Sequence, residues 1–201
     1  VFVMYHRKSD NFPLASPVEG WKAIENTGEI ADGVLVIQGG KHLVIAPTES
    51  YLYFNSASAN VLVNTAVTDR IIAMNDWDGK TKTAALCANA AISADGAGYA
   101  PGFCHTYSRT NANGYGLTAG KWWLPSVGEL CFIWANKKKI NLALAQINGA
   151  ALLTESVYWS SAEYSSTNAW SLYLSDGYLS NLWLTRSTLQ LCVRSVSAFI
   201  S

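Results

Sequence analysis

The chain has 201 residues, of which 50% are hydrophobic and 14% are charged, so one domain with a buried core is the expected unit. Fourteen Lys and Arg residues balance fourteen Asp and Glu residues. This zero net charge argues against a nucleic-acid-binding protein, because phosphate contacts need an excess of basic side chains. No apolar run approaches the roughly 18 residues of a membrane helix, and the composition excludes a disordered or collagen-like chain.

The N-terminal region differs from the rest of the chain. Pro13 and Pro17 interrupt it, and its hydrophobic residues follow no clear period. We therefore expect residues 1–32 to form an irregular arm and residues 33–201 to form the folded domain. The chain begins with Val1 and not with methionine, which leaves open a removed signal peptide or a longer parent protein.

A β-hairpin is the first regular element that the sequence predicts. Two β-branched runs, at residues 34–37 and 43–46, flank a Gly-Gly pair, as strands do on either side of a tight turn. Farther along, residues 81–91 are rich in alanine and favour a helix. Residues 93–121 are rich in glycine and predict a long, loop-rich connection.

Helical patterns come next in the chain. Ser126 with Glu129 three residues later is the pattern of a capping box, which predicts the start of a helix. Residues 140–147 form a second helical pattern. The order of strands, helices and then strands indicates an α+β fold rather than a wound parallel sheet.

A run of three lysines, Lys137, Lys138 and Lys139, lies between the two helical patterns. At the C-terminus of a helix such a run complements the helix dipole and aids solubility. We prefer this interpretation to contact with an anionic surface.

The C-terminal segment from residue 158 onward has a strand-like period of two. Leu172, Leu174 and Leu179 alternate with serines and tyrosines, and Asp176-Gly177 between the two runs is a strong hairpin signal. Alternate side chains of a strand face opposite sides, so one face is predicted to enter the core. The opposite face, rich in Ser and Tyr and without lysine, resembles an antibody binding surface in composition. It also describes an ordinary half-exposed sheet, and composition leaves both open.

Short motifs carry a more specific signal. Those in the C-terminal segment are Tyr158-Trp159-Ser160-Ser161-Ala162-Glu163-Tyr164, Asn168-Ala169-Trp170, Asp176-Gly177 and Val193-Arg194-Ser195-Val196. Those upstream are Asn75-Asp76-Trp77-Asp78-Gly79-Lys80, Trp123-Leu124-Pro125-Ser126 with Glu129-Leu130, and Ile140-Asn141-Leu142-Ala143-Leu144. Together, over about residues 33–201, they resemble the target proteins of diversity-generating retroelements.

The resemblance implies a C-type lectin-like fold, with two helices packed on small antiparallel sheets and long loop-rich connections. It implies a display protein on a phage or bacterial surface, in which adenine-directed mutagenesis changes exposed residues within about residues 158–194. The ligand-binding residues so implied are Ser171, Tyr173, Ser175, Asp176, Tyr178, Ser180, Asn181, Leu182, Trp183 and Arg186. Weaker candidates are Ser165, Ser166, Leu189 and Leu191.

Large aromatic residues divide between scaffold and surface in this interpretation. Trp159 and Trp170 are expected to anchor the core. Leu182 and Trp183 are adjacent apolar residues in a polar stretch, and if exposed they would form a hydrophobic contact patch.

Metal-binding patterns are weak. Cys104-His105 could join Cys87 in a zinc site, but no CxxC partner has the usual spacing, so packed side chains are the preferred interpretation. Asp76 and Asp78 lie near a glycine, yet the full series of a calcium loop is missing, and a solvated turn is preferred. We therefore expect no metal and no cofactor.

Catalytic patterns are equally sparse. None of the three histidines lies in an HExxH motif, and neither a GxSxG nor a P-loop sequence occurs. Cys131 and Cys192 could be compared with the paired cysteines of formylglycine-generating enzymes, which share a lectin-like fold, but burial of both is expected. The four cysteines of the chain permit either two disulfides or four buried thiols, and both stay open.

The expected function is therefore non-enzymatic binding of a protein or glycan on a cell surface, by a protein that is extracellular or part of a virion. Neither nucleic acid nor membrane insertion by this chain is expected, and a homo-oligomer is allowed. One alternative is a structural module of a virion or surface fibre, with the same face buried between subunits. The other alternative is a formylglycine-generating-type catalyst.

Overall fold

The computed structural model describes residues 1–181 and 186–199, and these form an α+β architecture of small sheets and short helices around one longer helix. The strands are β1 (Phe2–His6), β2 (Pro13–Pro17), β3 (Ala31–Gln38), β4 (Lys41–Ile45), β5 (Ser50–Leu52), β6 (Arg109–Thr110), β7 (Gly116–Leu117), β8 (Val157–Glu163), β9 (Ala169–Tyr173), β10 (Leu179–Ser180), β11 (Leu191–Val193) and β12 (Val196–Ser197). The helices are α1 (Trp21–Glu25), α2 (Arg70–Met74), α3 (Gly79–Ala88), α4 (Ala90–Asp95), α5 (Ala100–Thr106) and α6 (Val127–Leu144).

The first sheet has the order β12-β4-β3-β1-β2 and is antiparallel throughout. Gln38 pairs with Lys41, so β3 and β4 are joined by the two glycines between them. Gly39 and Gly40 have φ of +59° and +75°, as a two-residue hairpin turn requires. The hairpin predicted from the sequence is confirmed.

The N-terminal residues belong to this sheet, so the expected irregular arm over residues 1–32 was wrong. Strand β1 lies between β3 and β2, with Val3 opposite Val34, and Val3 is fully buried. The two prolines that suggested irregularity lie at the ends of β2. Since β2 is an edge strand, their missing N–H groups cost the sheet little.

The second sheet has the order β10-β9-β8-β11-β5 and is antiparallel except for the parallel pair of β8 and β11. Trp170 and Leu172 lie on the face that packs in the main core with α6 and the first sheet. Trp159 and Ala169 lie on the opposite face, in a second cluster with residues of α3, α4 and α5. Trp159 and Trp170 are 0% and 2% exposed, which confirms both as core anchors.

The region between the sheets is more ordered than its glycine content suggested. The helix expected over residues 81–91 is confirmed as α3 up to Ala88, after which the extended Asn89 begins α4. The loop expected over residues 93–121 contains the end of α4, α5 and the small β6–β7 sheet. Pro101 lies in the first turn of α5, where its missing N–H leaves no helix bond unmade. Gly102 packs so closely on the preceding turn that a Cβ would lie 2.2 Å from the carbonyl oxygen of Gly96. At this position the glycine therefore serves close packing.

Helix α6 is continuous from the first helical pattern into the second and ends at Leu144, so the expected break between two helices was wrong. No proline or glycine lies in the intervening lysine run, and lysine is a good helix former. The capping box is confirmed, because the Ser126 Oγ accepts from the Glu129 N–H and the Glu129 carboxylate accepts from the Ser126 N–H.

Glu129, at 3% exposure, is the buried carboxylate of this cap. Its carboxylate accepts hydrogen bonds from the Ser126 N–H at 2.7 Å and from the Trp123 Nε1–H at 3.1 Å. Loss of water on burial raises the pKa of Glu129 to about 7 in spite of these donors, and the nearby Asp76 adds to the rise. The folded protein therefore holds this proton more tightly than the unfolded chain, in which a glutamate pKa is about 4.3.

We expect the Glu129 proton to make folding stability depend on pH. Between about pH 4.5 and 7 the unfolded chain releases the proton before the folded protein does, so the free energy of unfolding falls as pH rises. Glu129→Gln keeps a side chain that suits a capping box but cannot titrate, so its stability should change less over this window. Urea unfolding of both proteins at several pH values measures the difference. Parallel pH profiles would contradict the assignment.

Candidate ligand-binding site

The hairpin of β9 and β10 carries six of the ten residues that the sequence predicted to bind a ligand. Leu172 pairs with Leu179, and the turn closes with the Tyr173 N–H donating to the Tyr178 carbonyl at 2.9 Å. The Asp176 carboxylate accepts from the Tyr178 N–H at 3.0 Å, and Gly177 has φ +78°. The hairpin signal of the Asp-Gly pair is confirmed.

Four predicted ligand-binding residues lie together at this turn: Tyr173, Ser175, Asp176 and Tyr178. We call them the turn surface. Tyr178 is 54% exposed, Ser175 and Asp176 are exposed, and Tyr173 is half-buried. The two tyrosine rings meet edge to face with centroids 5.7 Å apart, which limits their freedom before any ligand binds.

Helices α2 and α6 support the turn from two sides. The Arg70 Nη2 donates to the Leu179 carbonyl at 2.9 Å, and its guanidinium lies 5.5 Å from the centre of the Tyr178 ring. Gly177 packs on the ring of Trp134, where a Cβ would lie only 2.7 Å from the nearest ring atom. A larger residue at Gly177 would therefore displace the turn from α6.

Helix α2, whose Arg70 contacts the turn, carries exposed apolar residues that sequence reasoning missed. Ile71 is 71% exposed, Ile72 is 64% exposed and Met74 is 46% exposed, while Ala73 faces the core. The signal was present as a short apolar run directly after Asp69, whose carboxylate caps the helix by accepting from the Ile71 and Ile72 N–H groups. A five-residue helix is too short to show a period, so the run gave no sign of its exposure.

Several predicted ligand-binding residues are buried, and their outward placement was wrong. They are Ser171 at 0%, Ser180 at 6%, Arg186 at 0% and Leu191 at 5% exposure. Ser171 lies opposite Trp159 on the face that α3, α4 and α5 cover, and its hydroxyl donates to the Ser180 carbonyl. The alternation was predicted correctly, but the second face of this sheet is covered as well as the first.

The remaining predicted residues are less clearly placed for binding. Ser165, Ser166 and Asn181 are half-buried, and Leu189 is 36% exposed. The Ser165 Oγ accepts from the N–H groups of Thr167 and Asn168, so it stabilises its own loop. Leu182 and Trp183 lie outside the described residues.

Arg186 belongs to a buried ion pair. Its Nη1 lies 2.6 Å from the Glu163 Oε1, and its Nε donates to the Asn55 Oδ1 at 2.6 Å. The same Glu163 carboxylate accepts from the N–H groups of Val63 and Asn64. Burial lowers the pKa of the Arg186 guanidinium, and the Glu163 charge opposes that shift. Arg186 is thus part of the scaffold that carries the turn surface.

The four cysteines are free thiols. Burial raises the pKa of the Cys87 thiol to about 11 and the pKa of the Cys104 thiol to about 12, and it also raises the pKa of Cys131. Cys192 is buried. A thiol catalyst needs the opposite shift, toward the thiolate.

Neither a metal cluster nor a membrane helix stands out in the described part of the chain. Over residues 1–181 and 186–199, no three His, Cys, Asp or Glu side chains converge as ligands. In the same residues, no helix is both long enough and apolar enough to cross a bilayer.

Comparisons with known proteins point to a fold similarity. No family model and no curated protein matches the sequence. The structure is similar to that of a fimbrial protein from Bacteroides ovatus, with a TM-score of 0.57, over 79% of this chain and at 16% identity. This chain spans 36% of the length of that protein. At such low identity the similarity shows a shared fold alone.

We expect the buried ion pair to be essential for stability. Glu163→Gln leaves Arg186 buried without a carboxylate, which should lower the free energy of unfolding by about 3–5 kcal/mol. Glu155→Gln is the matched control, because Glu155 forms an exposed ion pair with Lys137 and its loss should cost about 1 kcal/mol or less. Urea unfolding measures both. Equal losses in the two variants would contradict a special role for the buried pair.

Proposed function

We propose that the chain is a non-enzymatic binding module with a C-type lectin-like fold, displayed on a cell surface or a virion. The α+β architecture of small, mainly antiparallel sheets supports the fold, as do the motifs that resemble retroelement target proteins. The similarity to a fimbrial protein supports a location on a surface. In this proposal the partner is a protein or a glycan on a cell surface.

The turn surface is the observation that carries the proposal. Tyr173 and Tyr178 offer large contact area at a small cost in side-chain entropy, and Ser175 adds an adaptable hydrogen-bonding group. Both supports of the turn, Arg70 and Trp134, are fixed by contacts with it. Preorganised contact residues of this kind lose little freedom on binding, which favours affinity.

Diversification by a retroelement is compatible with only part of the predicted set. Exposed positions such as Ser175 and Tyr178 accept substitution at a cost of about 0.5 kcal/mol or less. Ser171 and Arg186 are buried, so random substitution there would damage the fold. We therefore narrow the diversified set among the described residues to the turn surface.

Sequencing this gene in many related isolates tests the narrowed set. We expect substitutions to cluster at Tyr173, Ser175, Asp176 and Tyr178, while Ser171, Ser180 and Arg186 stay constant because they are buried. A near-copy of the coding region in the flanking DNA, with adenines at the variable codons, would identify the retroelement. Substitutions spread evenly over exposed residues, with no such copy, would refute diversification.

A binding assay with turn variants tests the site itself. Replacing Tyr173 and Tyr178 by Ser should abolish binding of the labelled chain to glycan arrays and to panels of bacterial cells, with an unchanged melting temperature. Tyr51→Ser is the matched control, since Tyr51 is 56% exposed on β5, at the opposite edge of the sheet. Full binding by the double variant would refute the site.

The second candidate function is a structural module whose turn face is buried between copies of the chain. The exposed Ile71, Ile72 and Met74 favour it, since they lie on α2, the helix whose Arg70 contacts Tyr178, and exposed apolar side chains mark contact surfaces. Sedimentation velocity separates the two candidates. An oligomer that dissociates in Ile71→Glu would support the structural module, whereas a monomer at all concentrations would support ligand binding.

A further inference from the structure

The lysine run of α6 has no role at a helix end. Lys137, Lys138 and Lys139 lie inside the 18-residue helix, with more than a turn of helix following them. The helix dipole acts on charges in the last turn, so the expected interaction with a C-terminus does not account for the run. Lys138 and Lys139 are instead part of the exposed surface of the folded protein, and Lys137 is half-buried beside them.

Two adjoining cavities run along the exposed side of α6, with volumes of about 430 and 730 Å³. Lys137, Lys138 and Ser175 line both cavities, so the two lie side by side, and together we call them the α6 groove. Trp134 lines one end, and Leu142 with Leu152 lines the other. Trp134, Lys138 and Leu142 are spaced four residues apart and therefore lie on one stripe of the helix.

Both ends of the groove are apolar and open to solvent. Trp134 is 40% exposed, Leu142 is 68% exposed and Leu152 is 49% exposed. At 1.5 Å per residue, the helix places Trp134 and Leu142 about 12 Å apart along its axis. The groove therefore offers two apolar contacts separated by the length of a short peptide segment.

The centre of the groove is positively charged. Lys137 is compensated, because its Nζ lies 2.6 Å from the Glu155 carboxylate and also donates to the Leu174 carbonyl. Within the described residues, Lys138 and Lys139 form neither an ion pair nor a side-chain hydrogen bond. Lys138 thus presents an uncompensated ammonium group between the two apolar ends.

We infer that the α6 groove binds an acidic peptide segment of a partner protein, with a carboxylate between two apolar side chains. The carboxylate would pair with Lys138, and the apolar side chains would cover Trp134 at one end and Leu142 with Leu152 at the other. About four residues of extended chain span 12 Å, so one short segment reaches all three contacts. A hydroxyl-rich glycan would leave the aliphatic side chains of Leu142 and Leu152 without an apolar partner.

This inference does not rest on the proposed function. Tyr173 and Tyr178 line neither cavity, and Ser175 is the only residue of the turn surface that does. A variant of Tyr178 therefore tests the turn surface alone, and a variant of Lys138 or Leu142 tests the groove alone.

Selection of displayed random peptides on the immobilised intact chain tests the groove. We expect enriched peptides to carry Asp or Glu between two large apolar residues. A synthetic copy of the most enriched peptide should bind in a fluorescence anisotropy titration, and its affinity should fall as NaCl is raised. Lys138→Glu and Leu142→Glu should each weaken this binding about tenfold or more, and Lys138→Ala should weaken it without adding repulsion.

The controls separate the groove from other surfaces. Tyr178→Ala and Lys121→Glu, an exposed lysine that lines neither cavity, should leave peptide binding unchanged. Leu142 is largely exposed, so its variant should fold, and an unchanged thermal melting curve checks this. The inference is overturned by enrichment of no peptide, by enriched peptides without acidic residues, or by undiminished binding to Lys138→Glu and Leu142→Glu. Binding of sialyllactose that Lys138→Glu abolishes, without any enriched peptide, would instead assign the groove to an anionic glycan.

Discussion

The buried ion pair of Arg186 and Glu163 holds the parts of the molecule around the second sheet together. Glu163 ends β8 and accepts hydrogen bonds from the extended segment at Val63 and Asn64. Arg186 reaches the Asn55 side chain, and its guanidinium lies 4.4 Å from the centre of the Phe54 ring. Because removal of one partner leaves the other buried and uncompensated, neither position tolerates free substitution. The pair therefore belongs to the buried scaffold that carries the β9–β10 hairpin.

The β9–β10 hairpin shows which structural features the sequence could predict and which it could not. Its turn and its leucine face were predicted correctly, because a period of two and an Asp-Gly pair are local signals. The other face is buried because α3, α4 and α5, which come from a distant part of the chain, pack on it. Since alternation assigns side chains to faces but does not show what covers a face, Tyr178 was placed correctly at the surface, whereas Ser171 was not.

The wrong predictions for the N-terminal region and for α6 also came from local sequence patterns. Prolines suggested an irregular N-terminus, but they lie in an edge strand, where the sheet does not need their N–H groups. A run of three lysines suggested the end of a helix, but lysine propagates a helix well, and α6 has neither glycine nor proline after its first turn. Edge position and helix continuity depend on tertiary packing. For this reason the exposed apolar residues of α2 and the groove along α6 could be identified only in the three-dimensional structure.

The turn surface and the α6 groove share one support. Gly177 packs on the ring of Trp134 without room for a Cβ, and part of the same ring lines the groove. This contact holds the turn against α6, while the exposed Tyr178 ring meets the ring of Tyr173 edge to face. Substitution of those tyrosines can change what the turn contacts without moving the helix. Substitution of Gly177 would move both surfaces at once, so the scaffold needs a glycine there even if every exposed neighbour varies.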